Sequence, residues 1–179
     1  MNQRFIQDFD RMTGEYFTGS PKDFFKIIMR HNLRFMYLFR KYQQRKSILT
    51  RIALYRLTRK YGLEVSVDAN IGDGLYLGHP YNITVAEGSV IGSNVYLHKG
   101  CTIGRETRGK RAGTPTIGSR VCVGINATIV GNITIGDDVL IAPNSFVNCN
   151  VPDHSVVIGN PAQIYARTDA TENYVNFCV

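Results

Sequence analysis

The chain has 179 residues, 44% of them hydrophobic and 20% charged, a composition that builds a folded core without disulfides or metal. Its net charge of +7 is unevenly placed: residues 20–61 hold twelve Lys and Arg against one acid, Asp23. The four cysteines, at 101, 122, 149 and 178, form no CxxC pair, which argues against zinc and dithiol redox motifs.

The opening MNQRFIQDFD has acids and no apolar run, so no signal peptide is expected. The most apolar stretch, Phe24 to Phe39, is interrupted by Lys26, Arg30, His31 and Arg34, which argues against a membrane span. Ser20-Pro21-Lys22-Asp23 is a helix start, with a serine cap, proline in the first turn and an acid three residues on. That helix is expected to run to about Tyr42 and to bury Phe24, Ile27, Ile28, Phe35, Leu38 and Phe39. Ser47 caps a second helix, with Ile48, Ile52, Tyr55 and Leu57 apolar, ending at Gly62. The expectation is a two-helix region over 1–62. Its basic faces are either solvated or meet acidic lipid head groups or an anionic glycan. No nucleic-acid recognition motif accompanies the charge.

From Val65 onward an aliphatic residue recurs at intervals of six. The runs are Val65, Ile71, Leu77; then Val85, Ile91, Leu97, Ile103; then Ile117, Val123, Ile129, Ile135, Ile141, Val147; then Ile158 and Ile164. Glycine often follows, as at Gly72, Gly92, Gly104, Gly118 and Gly136. A period of six fits neither a helix nor an alternating strand, and it predicts a mainly β protein, a parallel β-helix of about five coils. The beat breaks twice. Leu77 to Val85 steps eight, around Gly78-His79-Pro80-Tyr81-Asn82, and Ile103 to Ile117 steps fourteen, so a basic loop leaves the prism.

Ile71-Gly72-Asp73-Gly74, Ile117-Gly118-Ser119-Arg120, Ile135-Gly136-Asp137-Asp138 and the closing Val157-Ile158-Gly159-Asn160-Pro161-Ala162 resemble the hexapeptide-repeat acyltransferases. The resemblance covers about residues 61–165. It implies a left-handed β-helix over 63–165 with a tail at 166–179, a homotrimer, and acetyl-CoA held between subunits with no metal. Within that family, Leu77-Gly78-His79 and the lengths of both breaks are most similar to serine acetyltransferases. That likeness implies His79 as the general base and Glu64, fifteen residues earlier, as its acidic partner, with Asp68 an alternative. A histidine can take a hydroxyl proton at neutral pH, and a carboxylate can orient it. His98, one coil above, is the rival base and a candidate for lining the acceptor site with Tyr81 and Asn82.

Coils of eighteen residues stack Ile125 on Pro143, and an allowance of two extra residues for the loop adds Arg105 to that corner. The family threads pantetheine along such a corner, which implies Gly104, Arg105, Gly124, Ile125, Ala142 and Pro143 for CoA. Lys110, Arg111 and Arg120 are candidates for its phosphates. Where the serine enzymes carry aspartate before the histidine and an arginine–histidine pair ending the loop, this chain has Gly78, Gly113 and Thr114. On that ground it looks more like capsule, exopolysaccharide and O-antigen O-acetyltransferases. The expectation is acetylation of a sugar hydroxyl in the cytoplasm, with the basic helices near the inner membrane surface. Serine O-acetylation is the alternative. A carbonic anhydrase of this fold needs three histidines where only His79 and His98 lie. A silent scaffold is the remaining reading.

Overall fold

The structure is a computed structural model describing residues 1–179. Four helices precede the repeats, not two: α1 (Gln3–Thr13), α2 (Pro21–Met29), α3 (His31–Gln44) and α4 (Ile48–Tyr61). Helix α1 starts where the Asn2 side chain accepts from the Arg4 amide at 2.9 Å and stops at left-handed Gly14. Ser20 and Asp23 close the expected capping box on α2. The long helix expected from Ser20 to Tyr42 is broken at Arg30, whose backbone is extended. The break turns α3 so that Leu33, Phe35, Met36 and Phe39 bury together, while α2 buries only Asp23 and Ile27. Phe24 and Ile28 on α2 were expected inside and are exposed; Ile48, Ile52 and Tyr55 on α4 are exposed as well.

The repeats wind into five coils. The first holds β1 (Leu63–Val65), β2 (Asn70–Ile71) and β3 (Tyr76–Gly78). The second holds β4 (Ile83–Val85), β5 (Val90–Ile91) and β6 (Tyr96–His98), and the third β7 (Thr102–Gly104), β8 (Thr116–Ile117) and β9 (Cys122–Val123). The fourth holds β10 (Thr128–Val130), β11 (Thr134–Ile135) and β12 (Val139–Ile141). The last holds β13 (Phe146–Val147) and β14 (Ser155–Ile158), and β15 (Gln163–Ala166) folds back antiparallel on β14. Strands one coil apart pair in parallel and make three faces: β1-β4-β7-β10-β13, β2-β5-β8-β11, and β3-β6-β9-β12-β14-β15.

The six-residue beat is the core. Every member from Val65 to Val147 is buried. The expected last pair, Ile158 and Ile164, is exposed in the terminal hairpin instead, and Val151 and Val157 fill those inward positions. Glycine recurs beside the beat because adjacent coils touch there. A Cβ on Gly72 would lie 2.7 Å from the Gly92 carbonyl carbon, and one on Gly92 would lie 2.6 Å from that of Gly118.

The helices close the first coil through buried charge. Arg40 on α3 meets Asp8 on α1 at 2.8 Å with both side chains inaccessible, and also donates to Ile71 O and Gly72 O at 2.9 and 2.6 Å. The Leu75 amide donates to Asp8 at 2.9 Å. Arg11 donates to the carbonyls of Gly74 and Val95.

The excess length in the third coil leaves the prism as a small hairpin. Glu106 pairs antiparallel with Gly113, and Arg111 bonds the Glu106 carboxylate at 3.2 Å.

Candidate active site

Register fixes one corner of the prism. Gly78 pairs with His98 across β3 and β6, Leu97 with Val123 across β6 and β9, and Val123 with Ile141 across β9 and β12. In that register Gly78, His98, Gly124 and Ala142 stand in line. The next step aligns His79, Lys99, Ile125 and Pro143. The Asn126 amide on Lys99 O and the Asn144 amide on Ile125 O, at 3.1 and 2.9 Å, continue the column.

His79 is exposed on this corner with φ of 48°, left-handed and directly before Pro80. A β-carbon residue in that conformation, followed by proline, is strained, and such strain concentrates at functional positions. The longer step from Leu77 supplies the corner that holds it. Asn82 is left-handed too, at φ 54°, and its amide donates to Tyr61 O at 3.0 Å. The Asn32 amide group reaches Leu77 O at 3.3 Å, bringing the start of α3 to the same corner. His31 stacks on Tyr61 with centroids 4.3 Å apart and lies 5.1 Å from Tyr81. No sequence signal places His31 here; the packing of α3 does.

His98 stacks on Tyr96 at 4.0 Å. Burial, and then the neighbouring His79, hold its pKa below the usual histidine range, so it is neutral near pH 7. The Tyr96 ring lies over Gly78, where an added Cβ would meet ring atoms at 2.3 Å. Burial pushes the Tyr96 phenol up to about 12, so it stays a hydrogen-bond donor.

A cleft of about 460 Å³ opens beside this column, lined by His98, Gly124, Ile125, Ala142 and Pro143 among others. Four of the six residues expected to cradle CoA are thus brought together. Gly104 and Arg105 are not. Gly104 ends β7 and Arg105 follows it, on another face of the prism, and the Arg105 guanidinium lies by Gly88. The displacement has a simple cause: Leu97 and Val123 stack although 26 positions apart, so the loop adds eight residues to the eighteen-residue coil, not two. Lys99 is the true column partner of Ile125. Lys110 and Arg111 sit on the exposed hairpin, away from the cleft, and Arg120 is exposed with φ 53°.

Glu64 lines a different cleft, with Arg51, Tyr55, Thr58 and Asp68 under α4. No hydrogen bond or ion pair joins it to His79. Asp68 faces Lys46 at 3.7 Å.

The cleft's remaining wall is the segment after β15, which the repeats did not foretell. Asn173, Tyr174, Asn176 and Phe177 line it. Asp138 anchors the segment, accepting from the Ala170 and Thr171 amides and the Thr171 hydroxyl at 3.1, 3.0 and 2.6 Å. His154 lies 2.8 Å from the same carboxylate. Burial alone would raise the Asp138 pKa, but the bonds from Thr171 and His154 bring it down to about 2. Asn94 makes a two-way bond with the backbone of Val179, 2.9 Å in each direction.

A coiled prism with a histidine-bearing corner beside a longitudinal cleft is the build of a hexapeptide-repeat transferase. The family described as bacterial transferase hexapeptide (six repeats) matches residues 114–149. Serine acetyltransferase of Helicobacter pylori is 32% identical over 137 residues, which cover 76% of this chain and 74% of that protein. Serine acetyltransferase 2 of Arabidopsis thaliana is 39% identical over 111 residues, 61% of this chain but only 34% of the plant protein. Among solved structures, serine acetyltransferase of Neisseria gonorrhoeae superimposes with a TM-score of 0.77 at 26% identity, covering 93% of this chain and 66% of that one. The soybean enzyme complexed with serine gives 0.74 at 27% identity, covering 90% and 68%. This chain belongs to the serine acetyltransferase family of hexapeptide-repeat transferases.

That membership corrects the acceptor expected from sequence. The changes at Gly78, Gly113 and Thr114 pointed to a sugar hydroxyl and to polysaccharide synthesis, yet the relatives are named serine acetyltransferases. No helix is long and apolar enough to cross a bilayer.

Proposed function

We propose that the protein transfers acetyl from acetyl-CoA to the hydroxyl of serine. The observation that carries this reading is the single corner on which two adjacent columns run, His98 with Gly124 and Ala142, and His79 with Lys99, Ile125 and Pro143, the first of them lining the cleft together with Ile125 and Pro143 of the second. His79 takes the hydroxyl proton as the oxygen attacks the thioester carbonyl. A backbone N–H of the corner holds the resulting oxyanion. The imidazolium then returns its proton to the departing CoA thiolate, leaving an ester and free CoA. Neutral His98 sits beside His79 without adding charge that would oppose protonation of the base.

Two further parts belong to this proposal. The protein is a homotrimer, and the hairpin of Arg105, Lys110 and Arg111 meets the CoA phosphates from a neighbouring subunit, since within one chain it lies away from the cleft. Glu64 serves His79 only after its side chain leaves the cleft under α4. The enzyme works in the cytoplasm, where acetyl-CoA is supplied. The test is release of free thiol from acetyl-CoA with and without L-serine, with O-acetylserine identified by mass spectrometry. Saturable, serine-dependent release is expected. Serine-independent hydrolysis alone, or no release, overturns the reading. A sedimentation mass near three times 20.1 kDa is expected, and an active monomer removes the shared-site part.

A further inference from the structure

We infer that the outward sides of α2 and α4 dock on an anionic lipid surface. Both helices pack against α3 and are apolar on two sides. Helix α2 buries Ile27 inward and presents Phe24, Phe25, Ile28 and Met29 outward, at 46, 62, 56 and 60% exposure. Helix α4 buries Leu54 and Leu57 and presents Ile48, Leu49, Ile52 and Tyr55 outward, at 68, 75, 45 and 59%. The spacing 48, 52, 55 is one continuous stripe, turned away from the stripe that faces the core. A helix bathed in water is normally polar there, and clustered exposed apolar residues mark an interaction surface.

Charge selects the partner. Of the twelve cationic residues in this region only Lys26, Arg40 and Lys46 meet a carboxylate. Lys22, Arg30, Arg34, Lys41, Arg45, Arg51, Arg56, Arg59 and Lys60 do not, and the last four share α4 with the stripe. A second copy would bring the same excess of positive charge against itself, whereas a leaflet rich in anionic head groups neutralises it. A cleft at the α3–α4 turn adds a place for a head group: Lys41, Arg45 and Ser47 line it beside the apolar Leu49. With 9 and 14 residues, α2 and α4 are too short to span and suit lying in the interface. The inference does not rest on the acetyl-transfer reading.

The experiment is co-sedimentation of the full chain with vesicles of phosphatidylcholine alone and of phosphatidylcholine mixed with phosphatidylglycerol. Binding is expected only to the mixed vesicles and should weaken at high salt. The charge-preserving pairs Phe25→Ser with Ile28→Ser, and Leu49→Ser with Ile52→Ser, should each cut partitioning by roughly tenfold. Their thermal unfolding, followed by circular dichroism, is the folding control. Wild-type protein left in the supernatant with mixed vesicles overturns the inference. Folded serine variants that bind as wild type reduce the attraction to charge alone and overturn the docking faces. A fall in sedimentation mass in the serine variants assigns the stripes to a second copy and equally overturns it.

Discussion

The β-helix and the helical layer treat the same residue types in opposite ways. In the prism, Ile129 and its counterparts are buried because strand, turn and coil repeat place one side chain per hexad inward. In the helices, Ile28, Ile48 and Ile52 lie in good amphipathic patterns yet face outward. A repeat that stacks on itself carries its own definition of inside. A helix takes its inside from whatever it packs on, and α2 and α4 have a second side still to be covered.

The largest effect expected separates chemistry from scaffold. His79→Ala should lower turnover by about 10²–10⁴ while leaving thermal stability unchanged, because the side chain is exposed and unpartnered. Equal activity in the variant, with loss in His98→Asn, would transfer the base to the neighbouring coil.

Breaking the joint between the two regions comes next. Asp8→Ala leaves Arg40 buried without its carboxylate and should cost about 3–5 kcal/mol in denaturant unfolding. If the chain unfolds in two separate steps after that change, the joint is what makes them one cooperative unit.

A matched pair of substitutions contrasts the buried prism with the exposed α4 stripe. Ile129→Ala in the prism should cost about 2–5 kcal/mol. Ile52→Ala on α4 should fall within about 0.5 kcal/mol of wild type. Similar losses at both positions would mean that the α4 stripe is already covered.

The smallest effect concerns the segment over the cleft. Asp138 has a depressed pKa in the folded protein, so its contribution is complete above the ordinary aspartate value of 3.8 and is lost as pH falls toward about 2. Amide exchange at Ala170 and Thr171 should stay slow down to about pH 4 and quicken below it. Asp138→Asn should make exchange there fast at neutral pH.

The five coils were legible because the six-residue beat is a direct copy of their geometry, and even the two breaks fell where the structure has a strained corner and a hairpin. The column at His98, Gly124 and Ala142 was legible in part. The loop's contribution to the offset was undercounted, and Arg105 was carried around the prism onto the wrong corner. Helix α1 had a signal that could have been used: an Asn2 cap, Phe5, Phe9 and Met12 on one face, and Gly14 after it. The break at Arg30 had none, since neither proline nor glycine marks it and only tertiary packing favours it. The segment after residue 166 is held by polar bonds to Asp138 and Asn94, which leave no periodic trace in sequence. Tyr96 over Gly78 was equally hidden, because the two are eighteen positions apart and meet only through strand register.

The distribution of thiols turns that covering segment into something that can be watched. Cys101 and Cys122 are buried, and burial pushes both thiols up to about 12, so neither forms a reactive thiolate at neutral pH. Cys149 and Cys178 are exposed, and Cys178 adjoins Phe177 at the cleft. After Cys149→Ser, a maleimide dye would therefore mark Cys178 alone. Its anisotropy would then give an optical reading, in real time, of whether the segment stays down or lifts when acetyl-CoA is added.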